Sequence, residues 1–195
     1  NIGAWARLQD EGMVVRTWQV DANGALHVRD LEALLGPRTR VVAFTQCSNV
    51  VASIHPVREI VDRIHRAGAV AVVDGVSFTP HGLPDVQALG ADVYLFSLYK
   101  VYGPHLGAMV VRRDLATRLP SQAHFFKGDE LPGRFTPAGP DHAQVAATNG
   151  VIDYLEAVAA HHGYGDRSPQ AQAAAVHDLF RAAETESLQP LLDFL

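Results

Sequence analysis

Residues 68–111, GAVAVVDGVSFTPHGLPDVQALGADVYLFSLYKVYGPHLGAMVV, decide the fold. Val70 to Val73 is a short apolar run ending at Asp74, Val93 to Phe96 is another, and a short helical stretch from Val86 to Leu89 lies between them. Two buried strands joined through a helix pair in parallel. Tyr102-Gly103-Pro104 then turns the chain into Gly107 to Val111, a strand too close to its predecessor for a crossover helix and so antiparallel. Upstream the pattern repeats. Val41 to Thr45 predicts a wholly apolar, buried strand, and Pro56 opens a helix with Val57, Ile60, Val61 and Ile64 on one face, closed by Gly68. Further out, Asp30 to Leu35 reads as a helix stopped by Gly36-Pro37, and Met13 to Val20, rich in β-branched residues, as a strand entering a turn at Asp21 to Gly24. Downstream, Ser121 to His142 is loop-like, with helices over about Ala143 to Ala160 and near Gln170 to Glu184. The sum is an α/β body with a mixed, mostly parallel sheet flanked by helices, which places ligands at the carboxyl ends of the strands.

The bulk composition fits that reading. A chain of 195 residues with 48% apolar and 19% charged residues has the size and core of one soluble domain, without repeats or low-complexity tracts. Its formal charge of −5 contains no basic run, so no nucleic-acid partner is expected. No apolar stretch reaches the roughly 20 residues of a membrane span. One cysteine, Cys47, excludes an internal disulfide and fits a reducing, cytoplasmic setting. The sequence opens at Asn1 without an initiator Met or a signal-peptide pattern, as expected of a piece of a longer protein.

Polar residues follow three of the apolar runs: Asn49 in TQCSNVVAS, Asp74 in AVAVVDGVS, and Ser97 with Lys100 in VYLFSLYKVYGPHLG. A lysine forms an imine with an aldehyde cofactor only when partly neutral, which a largely buried strand end favours. A carboxylate against a pyridine nitrogen keeps it protonated, so that the ring accepts electrons from a bond breaking at a substrate α-carbon. An amide can meet the ring's phenolic oxygen, and a hydroxyl near the lysine can meet a phosphate. Taken singly, each residue is ordinarily a turn former, a cap or a solvated loop residue. The spacing weighs against accident: Asp74 follows Asn49 by 25 residues, and Ser97 and Lys100 follow Asp74 by 23 and 26.

From Ser48 to Asp114 the chain resembles the class V aminotransferase superfamily, above all cysteine desulfurase-like proteins, through the elements SNV, VDG, PH, DVQALGAD, SxxK and YGP. Weaker resemblance runs through NIGAWARL and RFTPAGPDHAQVAATNGVIDYL. The resemblance implies the fold type I of pyridoxal 5'-phosphate (PLP) dependent enzymes, a small amino-acid substrate, and a homodimer. It also implies Lys100 as the Schiff-base lysine, Asp74 at the pyridine nitrogen, Asn49 at the ring hydroxyl and Ser97 at the phosphate. Residues 1–165 would form part of the large domain, and 166–195 a helical segment leading toward a small domain. Desulfurases have Gln where this chain has Ser77, and His where it has Tyr99, both at cofactor-touching positions; Tyr99 can offer a hydroxyl to the phosphate. Gln46 stands where many relatives have His, and Ala138-Gly139 where they have Gly-Thr. These exchanges leave transamination or epimerisation beside desulfurase chemistry, and a catalytically silent scaffold as an alternative of another class.

Other signals carry less. The adjacent His161 and His162 face apart on a helix, and no metal-ligand spacing occurs, so no metal is expected. Cys47 reads as a small structural residue, His81 as structural, and Asp85 and Asp92 as capping or solvated residues. No nucleophile elbow or dinucleotide fingerprint is present.

Overall fold

The computed structural model describes residues 2–127 and 130–195. Four strands, β1 (Val41–Thr45), β2 (Val70–Asp74), β3 (Val93–Ser97) and β4 (Gly107–Val111), form one sheet in the order β1-β2-β3-β4. The first three are parallel and β4 is antiparallel, as the spacing of their connections requires. Nine α-helices occur among the described residues: α1 (Ile2–Ala6), α2 (Val28–Leu34), α3 (Val57–Arg66), α4 (Thr79–Gly82), α5 (Val86–Leu89), α6 (Arg113–Arg118), α7 (His142–Ala147), α8 (Asn149–His161) and α9 (Pro169–Phe194).

The core lies between the sheet and α3. Val57, Ile60, Val61 and Ile64 recur at helical spacing, and all four are buried in one cluster with Phe44, Ala71, Val73 and Tyr94. Full burial of one such aliphatic side chain contributes about 2 kcal/mol. Glu59 in the first turn of α3, and Arg63, His65 and Arg66 in the last, complement the helix dipole. Gly68, at φ +74°, then reverses the chain into β2. On α5, Asp85 accepts from the Ala88 amide, the capping role expected of it.

Several sequence expectations need correction. Met13 to Val20 is not a strand. β-branched residues favour a pleated strand only where a neighbour offers a ladder, and the described backbone bonds near this segment are local ones, Met13 to Leu8 and Asp21 to Ala25. Trp18 still packs on Phe44, with ring centroids 6.3 Å apart. β1 is an edge strand, not a buried one: of its residues only Phe44 is buried, and Val41 is 46% exposed. The helix expected over Ala143 to Ala160 is divided at Thr148, whose hydroxyl bonds back to the Val145 carbonyl at 2.7 Å. In contrast, α9 runs on to Phe194 through Pro190. No helix among the described residues is long and apolar enough to cross a membrane.

Asp92 is the largest departure. Far from being solvated, it is 2% exposed. Its carboxylate accepts from the Ala71 amide (2.7 Å), meets His65 Nε2 (2.8 Å) and pairs with Arg112 (2.6 Å). Its backbone donates to the Ala71 carbonyl and accepts from the Arg112 amide. Replacement leaves the buried Ala71 amide without its acceptor, while the Arg112 guanidinium keeps its bonds to Asp114. Asp92→Ala is therefore expected to lower the unfolding free energy by about 2–4 kcal/mol, against about 1 kcal/mol for Asp85→Ala. Urea titrations of the two variants in parallel make the comparison, and equal losses would contradict the role given to Asp92.

Candidate active site

In the parallel register Thr45 pairs with Asp74, and Asp74 with Leu95. The carboxyl ends of β1, β2 and β3 therefore lie side by side, and every sequence-predicted site residue falls on this edge or in the segments leaving it. Asp74 is the last residue of β2, half-buried, with Oδ1 accepting from the Val76 amide at 3.0 Å. Ser77 is half-buried in the turn between β2 and α4. Ser97 ends β3, and Lys100, also half-buried, sits in the 3-10 turn Leu98–Val101 that follows.

That turn belongs to a hairpin between β3 and β4. The Leu98 amide donates to the Leu106 carbonyl, and the Gly103 amide to the Leu98 carbonyl, each at 2.8 Å. Tyr99 is 48% exposed, its ring flat against His105 with centroids 4.8 Å apart and planes 8° from parallel. Asn49 is exposed in a tight turn after β1, where the Ser48 hydroxyl accepts from the Val50 and Val51 amides. The shelf is open on that side.

Under the shelf lies a buried polar floor that the sequence did not disclose. Gln46 and Thr79, both buried, flank the phenol of Tyr94, which has no exposed surface. Tyr94 Oη donates to Gln46 Oε1 at 2.6 Å and lies 3.4 Å from Thr79 Oγ1, which donates to the Gly75 carbonyl at 2.8 Å. The Gln46 amide donates to the Asp74 carbonyl at 2.8 Å. Gln46 thus belongs to the floor, tied to Tyr94 and to the Asp74 backbone. The ring passes so close to Gly75 that a Cβ there would stand 2.0 Å from Tyr94 Oη, so the glycine after Asp74 is a packing requirement. One signal in the sequence bears on this: a tyrosine inside an apolar strand needs a buried partner for its hydroxyl. Burial pushes the Tyr94 phenol up to about 12; the charge of Asp74 acts in the same direction, and the bond to Thr79 offsets part of it.

Among the remaining polar residues, Cys47 is a half-buried free thiol in the bridge to Ile54. His81 faces Glu184 of α9 at 3.4 Å. His161 and His162 do not face apart: their rings meet edge-on with centroids 4.9 Å apart, because His162 caps α8 and leaves the helical path. No group of three His, Cys, Asp or Glu residues that could hold a metal occurs among the described residues.

The family model for Aminotransferase class-V matches residues 1–186. Part of a nonribosomal peptide synthetase-like enzyme, fsqF, of Aspergillus fumigatus is 44% identical over 135 residues, 67% of this chain and 9% of that protein. A cysteine desulfurase of Yersinia pseudotuberculosis is 36% identical over 171 residues, 80% of this chain and 42% of that one. The crystal structure of the cysteine desulfurase CsdA of Escherichia coli superposes with a TM-score of 0.70 at 25% identity, covering 87% of this chain and 43% of CsdA. A NifS-like protein shares the fold at 22% identity, with a TM-score of 0.71 over 98% of this chain and 47% of its own. The chain spans less than half the length of these relatives, and the expected fold type I architecture is borne out by the sheet and by these neighbours.

A phenol whose pKa is higher in the folded chain than its ordinary value of 10.0 adds stability in full below that pH and loses it as the pH rises toward about 12. Wild type is expected to lose stability across that window more steeply than Tyr94→Phe. Denaturation midpoints measured at stepped alkaline pH give the difference, to which Tyr102, present in both proteins, contributes nothing. Parallel curves would contradict the burial assigned to Tyr94.

Proposed function

The chain belongs to the class V aminotransferase family, and on that premise we propose that it is the cofactor-binding part of a PLP-dependent enzyme acting on a small amino acid, with cysteine desulfurase-like chemistry. One observation carries the reading. A carboxylate at the end of β2 and an amine in the hairpin after β3 share one sheet edge over a buried polar floor, with hydroxyls and an amide beside them. That donor set suits an aldehyde-bearing, phosphorylated pyridine.

In this reading Lys100 holds the cofactor covalently through Nζ, and Asp74 meets the ring nitrogen. Asn49 meets the ring hydroxyl. Ser97, Ser77 and Tyr99 serve the phosphate side. When bound, PLP supplies an electron sink for a bond broken at the substrate α-carbon. Lys100 Nζ would then be the base that takes the substrate α-proton, a task suited to a half-buried amine at this edge. Asp74, fixed by the Val76 amide and by the backbone bond from Gln46, keeps its negative charge at one place on the shelf. The flat contact with His105 sets the plane of Tyr99.

Ser77 and Tyr99, standing where desulfurases carry Gln and His, favour transamination or epimerisation as the second reading. The exposed side of the shelf at Asn49 and Tyr99 suits closure by a second copy, and residues 166–195 lead toward a substrate-binding small domain. Both assignments belong to the proposal.

The full-length protein and its Lys100→Ala variant, incubated with PLP and then desalted, test it. Wild type is expected to remain yellow and the variant to lose its colour. Asp74→Asn is expected to keep the cofactor but to turn over amino acids about a hundredfold more slowly. If both wild type and Lys100→Ala emerge colourless, the enzyme reading fails and a silent scaffold takes its place.

A further inference from the structure

Two residues after Lys100 the backbone enters the left-handed region at Tyr102, with φ +67°. Only Ala52 joins it among the described residues other than glycine. A tyrosine costs about 1–2 kcal/mol there relative to its ordinary conformations, whereas glycine, the usual occupant of such a turn, costs nothing sterically. Turn geometry alone therefore does not account for the side chain. Its contacts do. The Tyr102 ring lies 5.0 Å from that of Tyr154 in α8 and 5.9 Å from that of Phe180 in α9. Phe180 in turn meets the ring of His177 edge-on at 6.2 Å. The next hairpin residue is pressed against α8 as well, since a Cβ on Gly103 would stand 2.9 Å from Val151 Cγ2.

We propose that Tyr102 is a positioning residue for Lys100, fixing the hairpin through an aromatic ladder that ends at the buried His177. The role rests on the cofactor reading above, and the ladder itself is independent of it. His177 is 5% exposed, and neither of its ring nitrogens has a hydrogen-bond partner, so it serves as a packed ring and not as a polar group. Burial pushes its pKa down; Arg181 and His81 act in the same direction, Asp178 and Glu184 against it. Around the ladder's end, Arg181 donates to the His81 carbonyl at 3.4 Å, and Glu184 faces the His81 imidazole. These contacts fasten α9 to α4, the helix that follows Ser77. One helix thus backs both segments that leave the strand ends.

A bland alternative is that Tyr102 merely covers an exposed hairpin tip, since 60% of it remains accessible. The two accounts differ on glycine. If the residue only makes the turn, Tyr102→Gly relieves the backbone and leaves the hairpin as firm as before or firmer. If the ring positions the hairpin, the same change loosens it.

Hydrogen exchange of amides 98–106 in the cofactor-free, full-length protein separates them, with exchange in β2 as the control for folding. Tyr102→Gly is expected to speed exchange in the hairpin about tenfold, Tyr102→Phe to keep the wild-type rate, and His177→Ala to reproduce part of the loss. PLP titration followed by the lysine-dependent yellow colour is expected to weaken by a similar factor in Tyr102→Gly and to recover in Tyr102→Phe. Wild-type exchange in the Tyr102→Gly hairpin would overturn the proposal. So would a loosened hairpin that takes up PLP as tightly as wild type. If wild type takes up no PLP, the cofactor reading is the one that fails, and with it the role toward Lys100; exchange then reports only whether the ladder holds the hairpin.

Discussion

The placement of the site rests on a carboxylate at the opposite end of the sheet. Asp92 binds the Ala71 amide of β2 with its side chain and exchanges backbone bonds with both Ala71 and Arg112, while His65 reaches it from the end of α3. It therefore sets how β2, β3 and β4 lie against one another. In a pleated sheet a slip of one residue turns every side chain to the other face. The pairing of Asp74 with Leu95 and of Ser97 with Gly107 follows from the same register. A buried charge with three partners is costly to assemble, but any slipped arrangement would leave it buried and unpaired.

What could be read from the sequence was whatever depends on local pattern. The apolar runs gave β2, β3 and β4, the helical period gave α3, and the close approach of β3 and β4 in the chain gave their antiparallel pairing. The strand-end rule points at Asn49, Asp74 and Ser97; Asp74 and Ser97 are the last residues of β2 and β3, and Asn49 lies in the turn after β1. Asp92 and Tyr94 escaped because their meaning comes from partners distant in the chain: Asp92 from His65, and Tyr94 from Gln46. Met13 to Val20 was misread for a related reason, since strand propensity describes a surface that a neighbour must complete.

The tyrosine beside the lysine acquires a spatial sense. Tyr99 does not stand alone at the lip of the shelf; the His105 ring lies flat against it, brought there by the hairpin that carries Lys100. An aromatic hydroxyl and an imidazole share the rim beside Lys100. Both side chains are exposed, whereas Gln46 is turned to the floor.

The contact between Gly75 and Tyr94 has a bearing on how this chain can be altered. With 2.0 Å available to a Cβ, position 75 accepts no side chain while Tyr94 is intact. Shortening Tyr94 alone opens a hole and leaves Gln46 Oε1 without its donor. Either single step is unfavourable, so the two positions form one mutational unit, crossed together or not at all. Recombination of segments with a relative then preserves this contact when the crossover keeps residues 75 and 94 from the same parent.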